Sequence, residues 1–108
     1  MAKLVHLRRL AADDVDAAVD HSLTDAGSDV AARFISALER SLAHVARHPR
    51  HGSLRLSYEL DAPDVRCWPL PRFTYLIFYV EFPDRIDVWR VLHTRRDVPA
   101  AVADINDR

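Results

Sequence analysis

The chain has 108 residues, of which 49% are hydrophobic and 29% charged, with a formal net charge of −1. A chain of that length suits one domain with one core that needs neither disulfides nor metal to fold. A charge so near zero excludes a global field that would draw the chain to nucleic acid or membrane, so any polyanion binding needs a local patch.

The opening stretch MAKLVHLRRLAADD has no long apolar segment of the signal-peptide kind. Within it, residues 3–9 alternate, with Val5 and Leu7 on one face, and predict a first strand. Asp13 and Asp14 then look like a helix start, where carboxylates accept free backbone N–H groups. Val15, Ala18, Val19 and Leu23 recur at helical spacing until Gly27 closes the helix. Ser28 is placed to cap a second helix. Its apolar stripe is Val30, Ala31, Phe34, Ile35, Leu38, Leu42 and Val45, and it ends at Pro49 and Gly52. The short link between the two helices implies an antiparallel pair.

Residues 53–64 are polar and irregular. Residues 65–71 predict a short or edge strand that stops at its prolines. In RFTYLIFYVEF (72–82), Leu76, Phe78, Val80 and Phe82 share one face, and Phe73, Tyr75, Ile77 and Tyr79 share the other. Two apolar faces predict a central strand. Residues 83–85 make a tight connection, and 86–93 return as the second arm of a hairpin. The tail from 96 to 108 predicts a short helix after Pro99, with Val102 and Ile105 as its apolar contacts. The whole is an α+β domain spanning residues 1–108: an N-terminal strand, an antiparallel helical hairpin, a three-stranded antiparallel sheet and a short C-terminal helix. No apolar run approaches the roughly 18–20 residues that cross a bilayer. The lone Cys67 cannot form an internal disulfide, which suits a reducing compartment, so a cytoplasmic protein with no membrane contact is expected.

Candidate sites are few. His44 and His48 lie one helical turn apart, a spacing that chelates zinc, but no cysteine or carboxylate completes the set, and polar side chains near a helix C-terminus have their own reason to be there. No metal is expected. Cys67 has no helix N-terminus behind it to activate a thiolate and reads as a buried structural thiol. Two isolated glycines, Gly27 and Gly52, build no phosphate loop or dinucleotide fingerprint, so no cofactor is expected. The C-terminal half gathers Arg66, Arg72, Arg90, His93, Arg95 and Arg96. Arg90 interrupts a row of Ile86, Val88 and Leu92. A guanidinium there serves either a phosphate- or carboxylate-bearing ligand or an internal ion pair with Asp87, Asp97 or Glu81, and composition leaves both open.

The combination LPRFTYLIFYVE followed by RIDVWRVLHTRRDVPAAV resembles the C-terminal half of the ParE/RelE superfamily of bacterial type II toxins, and the upstream strand and helical pair follow the same order. The resemblance implies a toxin neutralised by a cognate ParD-like antitoxin. ParE-like members poison DNA gyrase and block replication, whereas RelE-like members cut messenger RNA on the ribosome without a metal. The lysine cluster and terminal tyrosine of the RelE-like pattern are missing, since residues 97–108 hold no Tyr, His or Lys. The ParE-like branch is therefore favoured, with no catalytic residue and with Arg90, His93, Arg95 and Arg96 as target-docking groups. The alternatives are a nuclease using His93, Arg95, Arg66 and Arg72, and an inactive antitoxin-binding module. The same resemblance implies antitoxin contacts at the helical pair, through Phe34, Leu38 and Leu42 where these are exposed, and at the sheet edge.

Overall fold

The computed structural model describes residues 2–106, with side chains through residue 101. In chain order they form β1 (Leu4–Leu7), α1 (Arg9–Ala26), α2 (Ser28–Arg47), a 3₁₀ turn (Pro49–His51), β2 (Arg66–Pro69), β3 (Tyr75–Glu81), β4 (Arg85–His93) and α3 (Asp97–Asn106). The sheet has four strands in the order β1-β4-β3-β2. The expected three-stranded antiparallel sheet is present as β2, β3 and β4. The first strand joins it as a fourth, pairing parallel to β4 from Leu4↔Arg85 to Leu7↔Val88. A parallel neighbour needs a long crossover, and the intervening helices and strands supply one.

Why α1 starts early follows from that pairing. The Arg8 amide donates to the Val88 carbonyl at 2.9 Å, and the helix begins at the next residue. Asp13 and Asp14 therefore sit inside α1 rather than at its cap, and no side chain caps that end. Gly27 alone links the two helices, with φ of 92°, a conformation that costs a side-chain-bearing residue steric strain. Its amide closes α1 on the Ser22 carbonyl and its own carbonyl accepts from Ala31. Ser28 is then the first residue of α2, and its hydroxyl makes no capping bond.

The α1–α2 pair covers one face of the sheet. Phe34, Leu38 and Val45 of α2 join Ala18 of α1 and Tyr75, Ile77, Tyr79, Ile86, Val88 and Val91 of the sheet in one buried cluster. Phe34 meets Phe73 and Tyr75 edge-to-face, with ring centroids 5.4 and 5.2 Å apart. Phe34 is fully buried and Leu38 is 5% exposed, which corrects the expectation that the α2 stripe offers them to an antitoxin. An amphipathic helix spends its apolar face on its own sheet first. Leu42 is half-buried against the same cluster, and Ile35 faces outward.

The opposite face carries a second cluster of Val65, Cys67, Leu76, Phe78, Val80, Leu92 and Val98, flanked by Leu56, Leu60, Trp89 and Ala101. Residues 53–64 and α3 cover it, which is why both faces of β3 are apolar. Cys67 is buried there as expected. Val102 and Ile105, expected as the apolar contacts of the last helix, have side chains outside the described residues.

Candidate functional site

The exit of β4 is built by a mismatch in strand length. β1 ends opposite Val88, whereas β4 runs on to His93 and leaves an unpaired outer edge. Asp14, one turn into α1, fills that gap. Its carboxylate accepts from the Val91 backbone N–H at 3.0 Å and from Arg90 Nε and Nη2 at 2.8 and 2.9 Å. It thus does the work of a missing strand partner and of a counter-ion together. Asp14 raises the Arg90 pKa above the ordinary guanidinium value. Arg90, expected on an open docking surface, is instead clamped in a bidentate ion pair.

The expected row of Ile86, Val88, Arg90 and Leu92 is broken by a bulge. Phe78 pairs with Arg90 and Tyr79 with Val88, leaving Trp89 as the extra residue. One added residue shifts the alternation by one. Ile86, Val88 and Val91 accordingly face the helices, and Leu92 with Trp89 faces the opposite side. Asp87, a candidate partner for Arg90, is buried and holds Arg85 Nε at 2.9 Å and Arg8 Nη2 at 3.1 Å. Burial pushes its carboxyl pKa up, but the two guanidinium groups outweigh burial and lower it.

His93 organises the turn that follows. Its Nδ1 accepts the backbone N–H groups of Arg95 and Arg96, both at 3.2 Å, so this nitrogen carries no proton. Its Nε2 lies 2.9 Å from Thr74 Oγ1, which assigns the neutral Nε2–H tautomer donating to that hydroxyl. Tyr75 packs edge-on against the ring at 5.3 Å. Neither nitrogen is left for a proton transfer. Asp97 opens α3 and ties it to the strand, with Oδ2 accepting the His93 N–H at 2.9 Å and Oδ1 accepting Arg96 Nε at 3.0 Å. Burial raises the Asp97 pKa, and the Arg96 and His93 hydrogen bonds more than reverse that, leaving it below the ordinary value.

Between α1 and α3 these residues enclose an open cleft of about 720 Å³ lined by Asp14, His21, Tyr75, Arg90, Arg96 and Asp97. Arg95 stands exposed beside it, and its guanidinium has no ion-pair or hydrogen-bond partner among the described residues.

The other arginines do not converge here. Arg66 pairs in register with Tyr79, whereas His93 pairs with Tyr75, four residues along β3. That separation is about 13 Å along the strand before the two-strand offset across the sheet is added. The Arg66 guanidinium is occupied by the Gly52 carbonyl at 2.9 Å. Arg72 lies in the exposed turn before β3 with a positive φ of 67°. Nothing in the sequence singled out Asp14 or Thr74 as partners of the site, because each meets it only through the fold.

A second cleft, about 540 Å³, opens on the other face of the sheet among Leu60, Ala62, Val65, Phe78, Trp89 and Leu92. The Trp89 indole N–H is buried without a hydrogen-bond partner. Among the described residues no cluster of His, Cys, Asp or Glu is placed to hold a metal ion, and no helix is long and apolar enough to cross a membrane.

A family profile described as "ParE toxin of type II toxin-antitoxin system, parDE" matches residues 5–98. Among solved structures, one titled "Chromosomal ParDE TA system from P. aeruginosa" superposes with a TM-score of 0.73 at 21% identity, over 87% of this chain and 98% of that one. At that identity it shows a shared fold. No curated protein sequence matches the chain.

Proposed function

Because the chain belongs to the ParE toxin family of type II toxin–antitoxin systems, we propose that it acts by binding, poisoning DNA gyrase through the surface at the exit of β4. The toxin role and a cognate antitoxin partner follow from the family; gyrase as the target is our reading. The observation that carries it is the state of the charged groups. Arg90 and Arg96 are tied to Asp14 and Asp97, both nitrogens of His93 are engaged, and Arg66 lies far along the sheet. A metal-free RNA-cutting site needs a free base, a free acid and cations converging on one phosphate. A rigid, internally braced surface that presents Arg95 suits docking on a large partner better.

For antitoxin neutralisation we propose the second face of the sheet. Phe34 and Leu38 are buried under the helices on the first face, and Leu42 is only partly exposed. The cleft around Trp89 offers accessible apolar wall against which a peptide would pack.

Purified toxin should inhibit supercoiling by gyrase or stabilise cleaved DNA, and Arg95→Glu should weaken that effect. Gyrase untouched by excess toxin would defeat the proposal. Primer extension on translated messages tests the nuclease alternative, which requires cuts within codons that vanish in His93→Ala and Arg95→Ala.

A further inference from the structure

Three histidines at the end of α2 form a stack that the β4 site does not use. His44 lies on the Trp68 ring of β2 at 4.5 Å between centroids, with 22° between planes. His48 and His51 stack at 4.6 Å and 9°. His44 Nε2 and His51 Nδ1 are 3.0 Å apart, within hydrogen-bond distance. The His44 ring is tilted 44° from both His48 and His51, and among the described residues no cluster is placed to hold a metal ion. The His44–His51 bond instead sets a protonation rule: one nitrogen must donate and the other must keep its lone pair.

The stack stands at the head of a segment that shields the sheet. The chain from His48 leads through the 3₁₀ turn to Gly52 and Ser53, and Ser53 bridges Cys67 across the outer edge of β2. Tyr79 Oη donates to the Pro49 carbonyl at 2.7 Å and accepts the Gly52 N–H at 2.9 Å. These bonds fasten the far end, and the imidazoles on Trp68 fasten the near end.

We propose that His44, stacked on Trp68, together with the adjoining His48 and His51, forms a proton-operated latch that holds residues 48–53 over the outer edge of β2 and loosens when the imidazoles become charged. The surroundings drive it that way. α2 contributes Arg40 and Arg47, which line the same surface hollow as His44 and His48. The 3₁₀ turn contributes Arg50. β2 contributes Arg66, whose guanidinium donates to the Gly52 and Arg50 carbonyls. β3 contributes the Tyr79 hydroxyl and Glu81, and Glu81 is already held by Lys3 at 2.9 Å and approached by Arg50 at 3.9 Å. Asp64 lines the same hollow as Arg50, Arg66 and Glu81, so added protons enter a group in which cations outnumber carboxylates and Glu81 is already held. Desolvation, followed by the neighbouring His48 and His51, lowers the His44 pKa, so neutral pH leaves the latch closed. Its release uncovers a strand edge, the kind of surface that accepts an added strand.

Amide hydrogen exchange read residue by residue by NMR tests the idea. In the wild-type protein, protection of the Gly52 and Ser53 amides, corrected for intrinsic rates, should fall about tenfold or more from about pH 7.5 to about pH 5. Ile77 and Val91 in the sheet should keep theirs, which separates local release from global unfolding. The variant carrying His44→Gln, His48→Gln and His51→Gln should lose the pH dependence, although it keeps His6, His21 and His93. Unchanged wild-type protection, or the same pH-dependent loss in the triple variant, overturns the latch. If the triple variant does not fold, the wild-type imidazole titrations decide. A lowered His44 midpoint matched by a shift at Ser53 supports the latch, and a His44 titration that leaves Ser53 unmoved refutes it.

Discussion

Replacing Asp14 by alanine removes one side chain and strands two different partners. The first is the Val91 N–H at the outer edge of β4, paired only with Asp14 Oδ2 and set in a strand whose side chains are core. An orphaned buried donor costs about 1–3 kcal/mol. The second is the Arg90 guanidinium, whose side chain is 40% exposed against 14% for Asp14. Water can re-solvate Arg90, so the screened ion pair adds no more than about 1 kcal/mol. The sum is about 1–4 kcal/mol for Asp14→Ala. Arg90→Ala leaves the carboxylate bonded to the Val91 N–H and open to water, and should cost about 1 kcal/mol. The order matters more than the totals: the aspartate should outweigh the arginine although they form one ion pair. Urea denaturation followed by circular dichroism on both variants measures this, on a domain small enough for two-state treatment. An Asp14→Ala loss below about 0.5 kcal/mol, or one smaller than that of Arg90→Ala, would refute the edge-capping argument.

Gly52→Ala should destabilise by about 2–4 kcal/mol, because a Cβ there overlaps the Tyr79 hydroxyl and ring and breaks the bond from the Gly52 N–H. Tyr79→Phe keeps the ring and loses both hydroxyl bonds, so thermal melts should show a smaller loss of about 1–3 kcal/mol. Equal stability of all three proteins would contradict the close approach. The Asp97 carboxyl has a pKa below its unfolded value, so the stability it contributes is present above the ordinary carboxylate range and is lost as pH falls through the folded pKa. Acid should therefore release the start of α3 from His93, visible as loss of protection at the His93 amide once the pH falls below the ordinary carboxylate range, and Asp97→Asn should show the release already at neutral pH. Trp89→Phe should leave gyrase inhibition intact and weaken antitoxin affinity several-fold in calorimetry; unchanged affinity would remove the second cleft from the antitoxin interface.

The local elements were legible because their causes are local. The α2 stripe, the double apolar alternation of β3, the stop at Pro49 and the break at Gly27 each depend on residues within a turn or two of one another. The motif around His93 was legible as well, whereas Asp97, read as a possible partner of Arg90, holds its neighbour Arg96 instead. What the residues did at the site was decided elsewhere. Asp14 read as a helix cap, and only folding brings it to Arg90, 76 positions along the chain. The bulge at Trp89 depends on how β4 pairs with β3, and it reassigned which side chains face the helices. Phe34 and Leu38 carry the same pattern whether a stripe meets its own sheet or a partner, and packing against Phe73 and Tyr75 chose the sheet. A periodic pattern states that a face must be buried. Which surface buries it, and which charge finds which counter-charge, is settled by contacts between distant segments that no local window contains.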